Sequence, residues 1–306
     1  RRDLVAALRW VQDNIEAFGG DPGNVTIYGQ SGGGKKVTAL MQMPAADGLY
    51  HKAIIQSGVM RAGTFCNHSA RIARLLAKDL GLKGNNISRL EKMEYEELGA
   101  AVMKAIEAAG MNAMEVWAPA PDGREYIGNP METGFRKETE DIPLIVGSCL
   151  AEFDPVPAGD KKLWDADRKQ ALLLRRFGEH ANAVETAFED AYPWMDPAYA
   201  SCVDLSVRPA VIDFLNRRKK EAAAPVYNYL FAYEAPLLGG QLLGHNGDLH
   251  FMFHNALYIP ALWKADITAR VQDEMAGAWA AFAKTGSPNG EGLPLWEEYE
   301  RTRGCV

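Results

Sequence analysis

Ser31 lies in a glycine-rich turn between a predicted strand and a predicted helix. Residues 25–28 are β-branched or aromatic and favour a short strand, and the helix is expected to begin near Lys35. The segment Gly29-Gln30-Ser31-Gly32-Gly33 between them fits the GxSxG pattern of a nucleophile elbow, a sharp turn that projects a serine hydroxyl from a sheet edge. A helix N-terminus also favours developing negative charge. The alternative is a glycine-rich helix cap without chemistry, because small residues form such pentapeptides by chance.

The segments around this turn predict a parallel sheet buried between helices. Apolar positions at steps of three and four over residues 4–18 predict a helix, with Phe18 on its apolar face and Gly19 at its end. Strand, helix and strand in succession indicate parallel pairing. Residues 69–109 and 168–220 are helical in pattern and are interpreted as insertions. Further strands are expected at 53–56, 144–146 and 226–233, and a last helix at 267–284.

The composition argues against several classes of partner. The 306 residues are 47% hydrophobic and 24% charged, which suffices for a large buried core. A net charge of -7 argues against a nucleic-acid partner, since that requires clustered lysine and arginine. No apolar run in the sequence reaches the roughly 18 residues that a membrane-spanning helix needs. The cysteines lack the spacing of zinc ligands and leave the presence of disulfides open; they are Cys66, Cys149, Cys202 and Cys305.

Longer runs of sequence resemble one known family, the type-B carboxylesterases, which include the cholinesterases. Residues 53–58 resemble the next strand of that family, and residues 279–290 resemble its last helix and turn. The resemblance covers essentially the whole chain and implies an α/β-hydrolase fold, a mostly parallel sheet flanked by helices, with neither metal nor organic cofactor. It is carried by Ala7-Leu8-Arg9-Trp10-Val11-Gln12-Asp13-Asn14-Ile15, by Phe18-Gly19-Gly20-Asp21-Pro22-Gly23-Asn24-Val25-Thr26-Ile27 and by Gly29-Gln30-Ser31-Gly32-Gly33.

Glu152 is the catalytic acid that the resemblance implies. A serine hydroxyl is a poor nucleophile at neutral pH unless a base takes its proton and an acid orients that base. The family's acid follows a strand in a pattern of glycine, three variable residues, a polar residue and glutamate. Residues 147–152 fit this pattern, except that Ala151 stands where the family usually has aspartate or asparagine. Asp154 is the rival, and an ordinary exposed loop carboxylate is the alternative for either residue.

His245 is the base that the resemblance implies. The family places its histidine three residues before an acidic residue and ahead of an aromatic-rich segment, and the spacing of His245 to Asp248 reproduces this. His250 stands where the family usually has proline, which leaves the start of the next element open, and it is the backup base. The remaining histidines are interpreted as ordinary surface or core residues; they are His51, His68, His180 and His254.

Two further groups belong to the expected site. The Gly32 backbone N–H is expected to bind the oxyanion of a tetrahedral intermediate, whereas the family's other donors come from an upstream glycine-rich loop that this sequence lacks. Ser57 resembles a second serine that supports the triad by hydrogen bonding, and a strand-end cap is its alternative role. Aromatic residues that could line a pocket, although such residues are more often core, are Trp117, Trp164, Phe251 and Phe253.

The resemblance also predicts how the chain is organised. Members of the family begin upstream of Arg1 and continue beyond Val306, so N-terminal strands of the sheet are expected to be missing and localisation stays open. The strand at 25–28 would then have an open edge, which predicts self-association or pairing with a complementary N-terminal segment, and a chain that alone is poorly stable and nearly inactive. We expect a catalytic core of residues 1–60, 119–155 and 224–306, covered by helical insertions at 61–118 and 156–223.

The combined prediction is a serine carboxylic-ester hydrolase that acts on a small-molecule ester through an acyl-enzyme. Ser31 attacks, His245 accepts its proton and Glu152 holds the imidazole. A binding module of the same fold without catalysis is the second hypothesis, although such proteins usually lose the nucleophile. A hydrolase of an amide, thioester or carbamate is the third. The sequence leaves the acyl and alcohol preferences open.

Overall fold

Four parallel strands form the central sheet of the computed structural model, which describes residues 2–61, 68–83, 86–111 and 120–300. Within these ranges the strand order is β1-β2-β3-β4. The register sets Gln30 opposite Gln56, and Gln56 opposite Gly147, so the carboxyl ends of the first three strands lie side by side. The strands are β1 (Thr26–Gln30), β2 (Lys52–Gln56), β3 (Leu144–Cys149) and β4 (Val226–Phe231).

The helices cover both faces of this sheet. A short antiparallel pair, β5 (Glu234–Ala235) and β6 (Gln241–Leu242), follows the fourth strand. The helices are α1 (Arg2–Asn14), α2 (Gly32–Met41), α3 (His68–Asp79), α4 (Tyr95–Ala108), α5 (Pro130–Thr133), α6 (Ala166–Phe177), α7 (Ala181–Ala191), α8 (Val207–Glu221), α9 (Leu249–Met252) and α10 (Ile267–Thr285). None of the helices in the described ranges combines the length and the apolar character that a bilayer crossing demands.

The two central strands are buried along their whole length, because helices pack against them from both sides. On one face, Ile55 and Val146 pack with the apolar sides of α1, α2 and α8. On the other face, Ile54 and Ile145 pack with α9, α10 and the aromatic side chains of β4. α6 and α7 form a smaller cluster around the segment after β3, and α3 packs with α4 in a separate one.

Several boundaries differ from those expected from the sequence. The first α-helix ends at Asn14 and continues as a 3₁₀ helix to Phe18, whose side chain is 73% exposed, so its predicted place on the apolar face is wrong. α2 begins at Gly32 rather than near Lys35, because the serine turn leads directly into it.

Cys149 and Cys202 are buried free thiols. Trp117, Cys66 and Cys305 lie outside the described residues.

Candidate active site

Ser31 occupies the one-residue turn between β1 and α2. Its backbone has φ 56° and ψ -120°, which puts a residue with a side chain in the left-handed half of conformational space. Such a conformation costs on the order of 1–3 kcal/mol and persists only where the surroundings enforce it. Here the Ser31 N–H donates to the Gln56 carbonyl at 2.7 Å, and the Ser31 carbonyl accepts from Lys35 N–H at 3.2 Å. The neighbouring strand therefore holds Ser31 in a strained strand-to-helix turn, the geometry that a nucleophile elbow requires.

Glycines make this turn sterically feasible. A Cβ added to Gly29 would lie 2.3 Å from the carbonyl carbon of Gly33, so only glycine allows the strand to approach the helix. A Cβ added to Gly58, just after β2, would lie 2.2 Å from the Ser31 carbonyl oxygen. The glycines before and opposite the serine are thus required by close backbone approach.

Glu152 follows β3 and is 3% exposed. Its Oε1 accepts hydrogen bonds from the Ser57 hydroxyl at 2.5 Å and from the Cys149 backbone N–H at 2.8 Å. Its Oε2 lies 2.5 Å from His245 Nδ1. Three donors from three different segments therefore fix this carboxylate, which as an acceptor-only group leaves the proton on His245 Nδ1.

His245 lies in the loop between β6 and α9, which runs close to the segment of Glu152. The His245 N–H donates to the Glu152 carbonyl at 2.7 Å, and the Phe153 ring lies against the imidazole with 4.2 Å between centroids. With the proton on Nδ1, Nε2 is a hydrogen-bond acceptor. Its described partner is Gln30 Nε2 at 3.2 Å. Among the described residues, no hydrogen bond joins Nε2 to the Ser31 hydroxyl, a contact that often forms only in a substrate complex.

Asp248 is the last residue of this loop, directly before α9, and is fully buried. Its Oδ2 accepts hydrogen bonds from Gln56 Nε2 at 3.0 Å and from the Tyr229 hydroxyl at 2.6 Å. Burial raises the pKa of Asp248, and the nearby Glu152 raises it further, while the two hydrogen bonds oppose them. Sequence reasoning used Asp248 only as a spacing marker for His245. It missed Gln56, which donates to Asp248 through its side chain and accepts from Ser31 through its carbonyl.

The Gly32 N–H lies at the first position of α2, where backbone N–H groups have no acceptor inside the helix. A Cβ added to the next residue, Gly33, would have no atom within 4 Å, so the space beside this end of the helix is open. An oxyanion bound there would meet a backbone donor and the positive end of the helix dipole. The geometry is therefore compatible with the expected role of Gly32.

The rival residues have other surroundings. Asp154 forms an ion pair with Arg176 at 2.9 Å. His51 accepts a hydrogen bond from the Val25 N–H, and His254 pairs with Asp273 at 2.7 Å. These contacts account for the residues structurally and leave Glu152 as the carboxylate on His245.

The other rivals and the pocket candidates are spread over the fold. His250 lies on α9, and His180 is exposed. Phe251 is fully buried in the core, whereas Phe253 is 53% exposed and touches the Tyr28 ring edge-on. Trp164 stacks with Arg168. In the part of the chain that the structure describes, no three His, Cys, Asp or Glu side chains are grouped to hold a metal ion.

A parallel sheet with a strained serine between strand and helix, and a carboxylate–histidine pair at the same edge, places the protein in the α/β-hydrolase fold class. A solved structure described as an esterase from anaerobic Clostridium hathewayi that can hydrolyse aliphatic aromatic polyesters is similar to this chain, with a TM-score of 0.85 and 38% identity. The similarity covers 98% of this chain and 60% of that one. The predicted fold is confirmed.

The chain belongs to the carboxylesterase family, whose model matches residues 2–305. Para-nitrobenzyl esterase of Bacillus subtilis (strain 168) is 31% identical over 307 residues, which cover 98% of this chain and 61% of the relative. Carboxylesterase 1E of Rattus norvegicus is 31% identical over 344 residues, which cover 99% of this chain and 59% of the relative. The chain thus spans about three fifths of the length of these relatives. The family predicted from the sequence is confirmed.

Proposed function

We propose that the protein is a serine carboxylic-ester hydrolase in which Ser31, His245 and Glu152 form the catalytic triad. The observation that carries the proposal is the 2.5 Å contact between His245 Nδ1 and a buried Glu152, at the sheet edge where β1 ends in the strained serine turn. Membership of the carboxylesterase family supports it. Small-molecule carboxylic esters are the proposed substrates, because the relatives are named as esterases.

The reaction follows from the roles of these groups. Ser31 Oγ attacks the ester carbonyl carbon while His245 Nε2 takes the hydroxyl proton, and Glu152 stabilises the imidazolium that forms. The tetrahedral oxyanion accepts a hydrogen bond from the Gly32 N–H. His245 then gives the proton to the leaving alcohol, and the acyl group stays on Ser31. In the second half, His245 removes a proton from water as the water oxygen attacks the acyl-serine. His245 then gives this proton to the departing Ser31 Oγ, which releases the carboxylic acid and restores the free hydroxyl.

Covalent labelling tests the nucleophile. A fluorophosphonate probe reacts with serines that an adjacent base activates, and we expect mass spectrometry to find the label on Ser31. Ser31→Ala abolishes labelling, and His245→Gln slows it by at least about 10³-fold. Ser88→Ala, which changes an exposed serine on the surface, serves as the matched control and leaves the labelling rate unchanged.

Hydrolysis of p-nitrophenyl butyrate tests the reaction with the same variants. We expect slow turnover by the wild-type chain, its loss in Ser31→Ala and His245→Gln, and an unchanged rate in Ser88→Ala. A label on a different serine, or an equal labelling rate after His245→Gln, contradicts the proposed triad. The absence of any label on the folded chain favours the second hypothesis, a binding module without catalysis.

A further inference from the structure

Gln30, the last residue of β1, makes a contact that the proposed reaction does not use. Its side-chain Nε2 lies 3.2 Å from His245 Nε2, the nitrogen that has to accept the Ser31 proton. We propose that Gln30 is a positioning residue, which holds His245 Nε2 in the substrate-free site and competes with the Ser31 hydroxyl for it. This inference rests on the proposed function, since it concerns the base of that reaction.

The hydrogen-bond chemistry of the imidazole defines what Gln30 does. When the imidazole is neutral and Glu152 accepts its Nδ1 proton, Nε2 has one lone pair and no proton. Only a donor matches that lone pair, and the amide NH₂ of Gln30 is a donor. The Ser31 hydroxyl needs the same lone pair to be activated. Because one lone pair in the ring plane accepts one strong hydrogen bond, the two donors exclude each other.

The remaining contacts of His245 do not reach this nitrogen. Its backbone N–H and Nδ1 are held by Glu152, and the uncharged Phe153 ring lies against its face. Gln30 is therefore the described group that fixes the reactive end of the ring. Because Gln30 directly precedes Ser31, small movements at the end of β1 exchange one donor for the other.

The charged groups around His245 come from several elements. Glu152, from the segment after β3, lies on Nδ1, and Asp248, on the same loop as His245, bonds to the Tyr229 hydroxyl of β4. On α2, Lys36 Nζ donates to the Gly32 carbonyl at 3.5 Å, beside the serine turn. The Gln30 amide is uncharged and contacts Nε2 directly. A substitution that puts a charged group at this position therefore acts directly on Nε2.

Two substitutions at Gln30 are expected to change the reactivity of Ser31 in opposite directions. Gln30→Met keeps the length of the side chain and removes the donor, which leaves Nε2 to Ser31. We expect the fluorophosphonate labelling rate at neutral pH to rise about two- to tenfold, the factor that one ordinary hydrogen bond is worth. Gln30→Glu replaces the donor by a carboxylate, which accepts from a protonated Nε2 and withdraws the base. We expect labelling to fall about tenfold or more.

Nitrogen NMR of the histidine side chains gives a readout that does not depend on catalysis. His245→Gln assigns the His245 signals. In a Ser31→Ala background, where no hydroxyl can replace the lost donor, we expect the Nε2 resonance to move downfield in Gln30→Met. We expect it to move upfield in Gln30→Glu, because the nitrogen gains a proton. Ser31→Ala leaves the resonance in place, since Ser31 is not its partner in the substrate-free chain. Gln12→Glu, the same change at an exposed position of α1, is the matched control. It changes neither the His245 Nε2 resonance nor the labelling rate of Ser31.

The outcomes separate this inference from the proposed function. A Nε2 resonance that responds to Ser31→Ala but not to Gln30→Met overturns the inference, as do equal losses of labelling in both Gln30 variants. A wild-type chain that shows no labelling contradicts the proposed function, while the NMR experiment still decides whether Gln30 holds the imidazole.

Discussion

Ser57 is one of three donors that hold the buried carboxylate of Glu152. Its hydroxyl lies 2.5 Å from Oε1, and the other donors are the Cys149 N–H and His245 Nδ1. A hydrogen bond to a charged group contributes about 1.5–3 kcal/mol, more than a neutral one. The orientation of Glu152, and through it that of the imidazole, therefore depends on Ser57.

We expect Ser57→Ala to lower kcat about ten- to hundredfold with little change in KM, because the hydroxyl acts on the acid rather than on substrate. Steady-state kinetics with p-nitrophenyl butyrate measures both parameters. Ser148→Ala is the matched control, since Ser148 is also buried near the end of β3 and its hydroxyl has no hydrogen-bond partner. Equal kinetics of the wild type and Ser57→Ala would assign Ser57 to the alternative role of a strand-end cap.

The raised pKa of Asp248 predicts that this residue makes a pH-dependent contribution to the stability of the fold. Its pKa is raised above the ordinary 3.8, chiefly by burial, so the folded state favours the protonated carboxyl. The resulting stabilisation is complete below pH 3.8 and is lost as pH rises through the higher pKa of the folded state. Asparagine resembles a protonated aspartate and does not titrate.

We expect the stability of Asp248→Asn relative to wild type to increase with pH over this window and to become constant above it. Urea unfolding at a series of pH values between about 4 and 8 measures the difference in unfolding free energy. Asp13→Asn, on the exposed side of α1, is the control and shows no such trend. A difference that is the same at every pH would mean that Asp248 is ionised in the folded protein throughout.

The contact between β2 and the serine turn depends on Gly58. The segment after β2 passes so close to Ser31 that an added Cβ would meet its carbonyl oxygen at 2.2 Å. Both partners of this contact are backbone, so one element has to move away from the other. The register of β1 and β2, which also places Gln56 against Ser31, is therefore coupled to the geometry of the turn.

We expect Gly58→Ala to destabilise the protein by about 1–3 kcal/mol, as overpacked sites do, and to reduce labelling of Ser31. Thermal and urea unfolding measure the stability. Gly33→Ala is the control for stability, because its Cβ would have no atom within 4 Å and alanine favours a helix. Similar stabilities of the Gly58→Ala variant and the wild type would show that the two segments are not in close contact.

In the described part of the molecule, β1 is an edge strand that pairs only with β2. Its Tyr28 side chain is 54% exposed and lies against Phe253, which is also exposed. An open edge with unpaired backbone groups is a template for pairing with another chain. The predicted self-association of the chain follows from this edge.

We expect purified protein to form dimers or larger species whose population rises with concentration, measured by sedimentation velocity. Tyr28→Lys places a charge beside the edge and lowers the association. Trp10→Lys is the matched control, because Trp10 is exposed to a similar extent, 53%, but lies on α1. A chain that stays monomeric at all concentrations contradicts the prediction.

The fold was predictable because its signals are local. Four apolar runs with strand character mark the positions of the four strands. The glycines within residues 25–34 indicate the sharp turn. Helix ends were less predictable, since the α-helix that begins at Arg2 changes to 3₁₀ geometry at Ile15 without a break in its apolar pattern. The triad residues could be predicted by resemblance, and their catalytic roles stay predictions.

The amino-acid sequence alone determined the strand–turn–helix around Ser31 and the family, because periodicity, glycine spacing and motif order are properties of neighbouring residues. Only the tertiary structure brought Gln30 to His245 and Gln56 to Asp248, pairs that are 215 and 192 positions apart. These contacts depend on strand register and on the path of the loop after β6. Local patterns do not encode how distant strand ends align, so packing of the whole sheet decided which polar groups meet beside the serine.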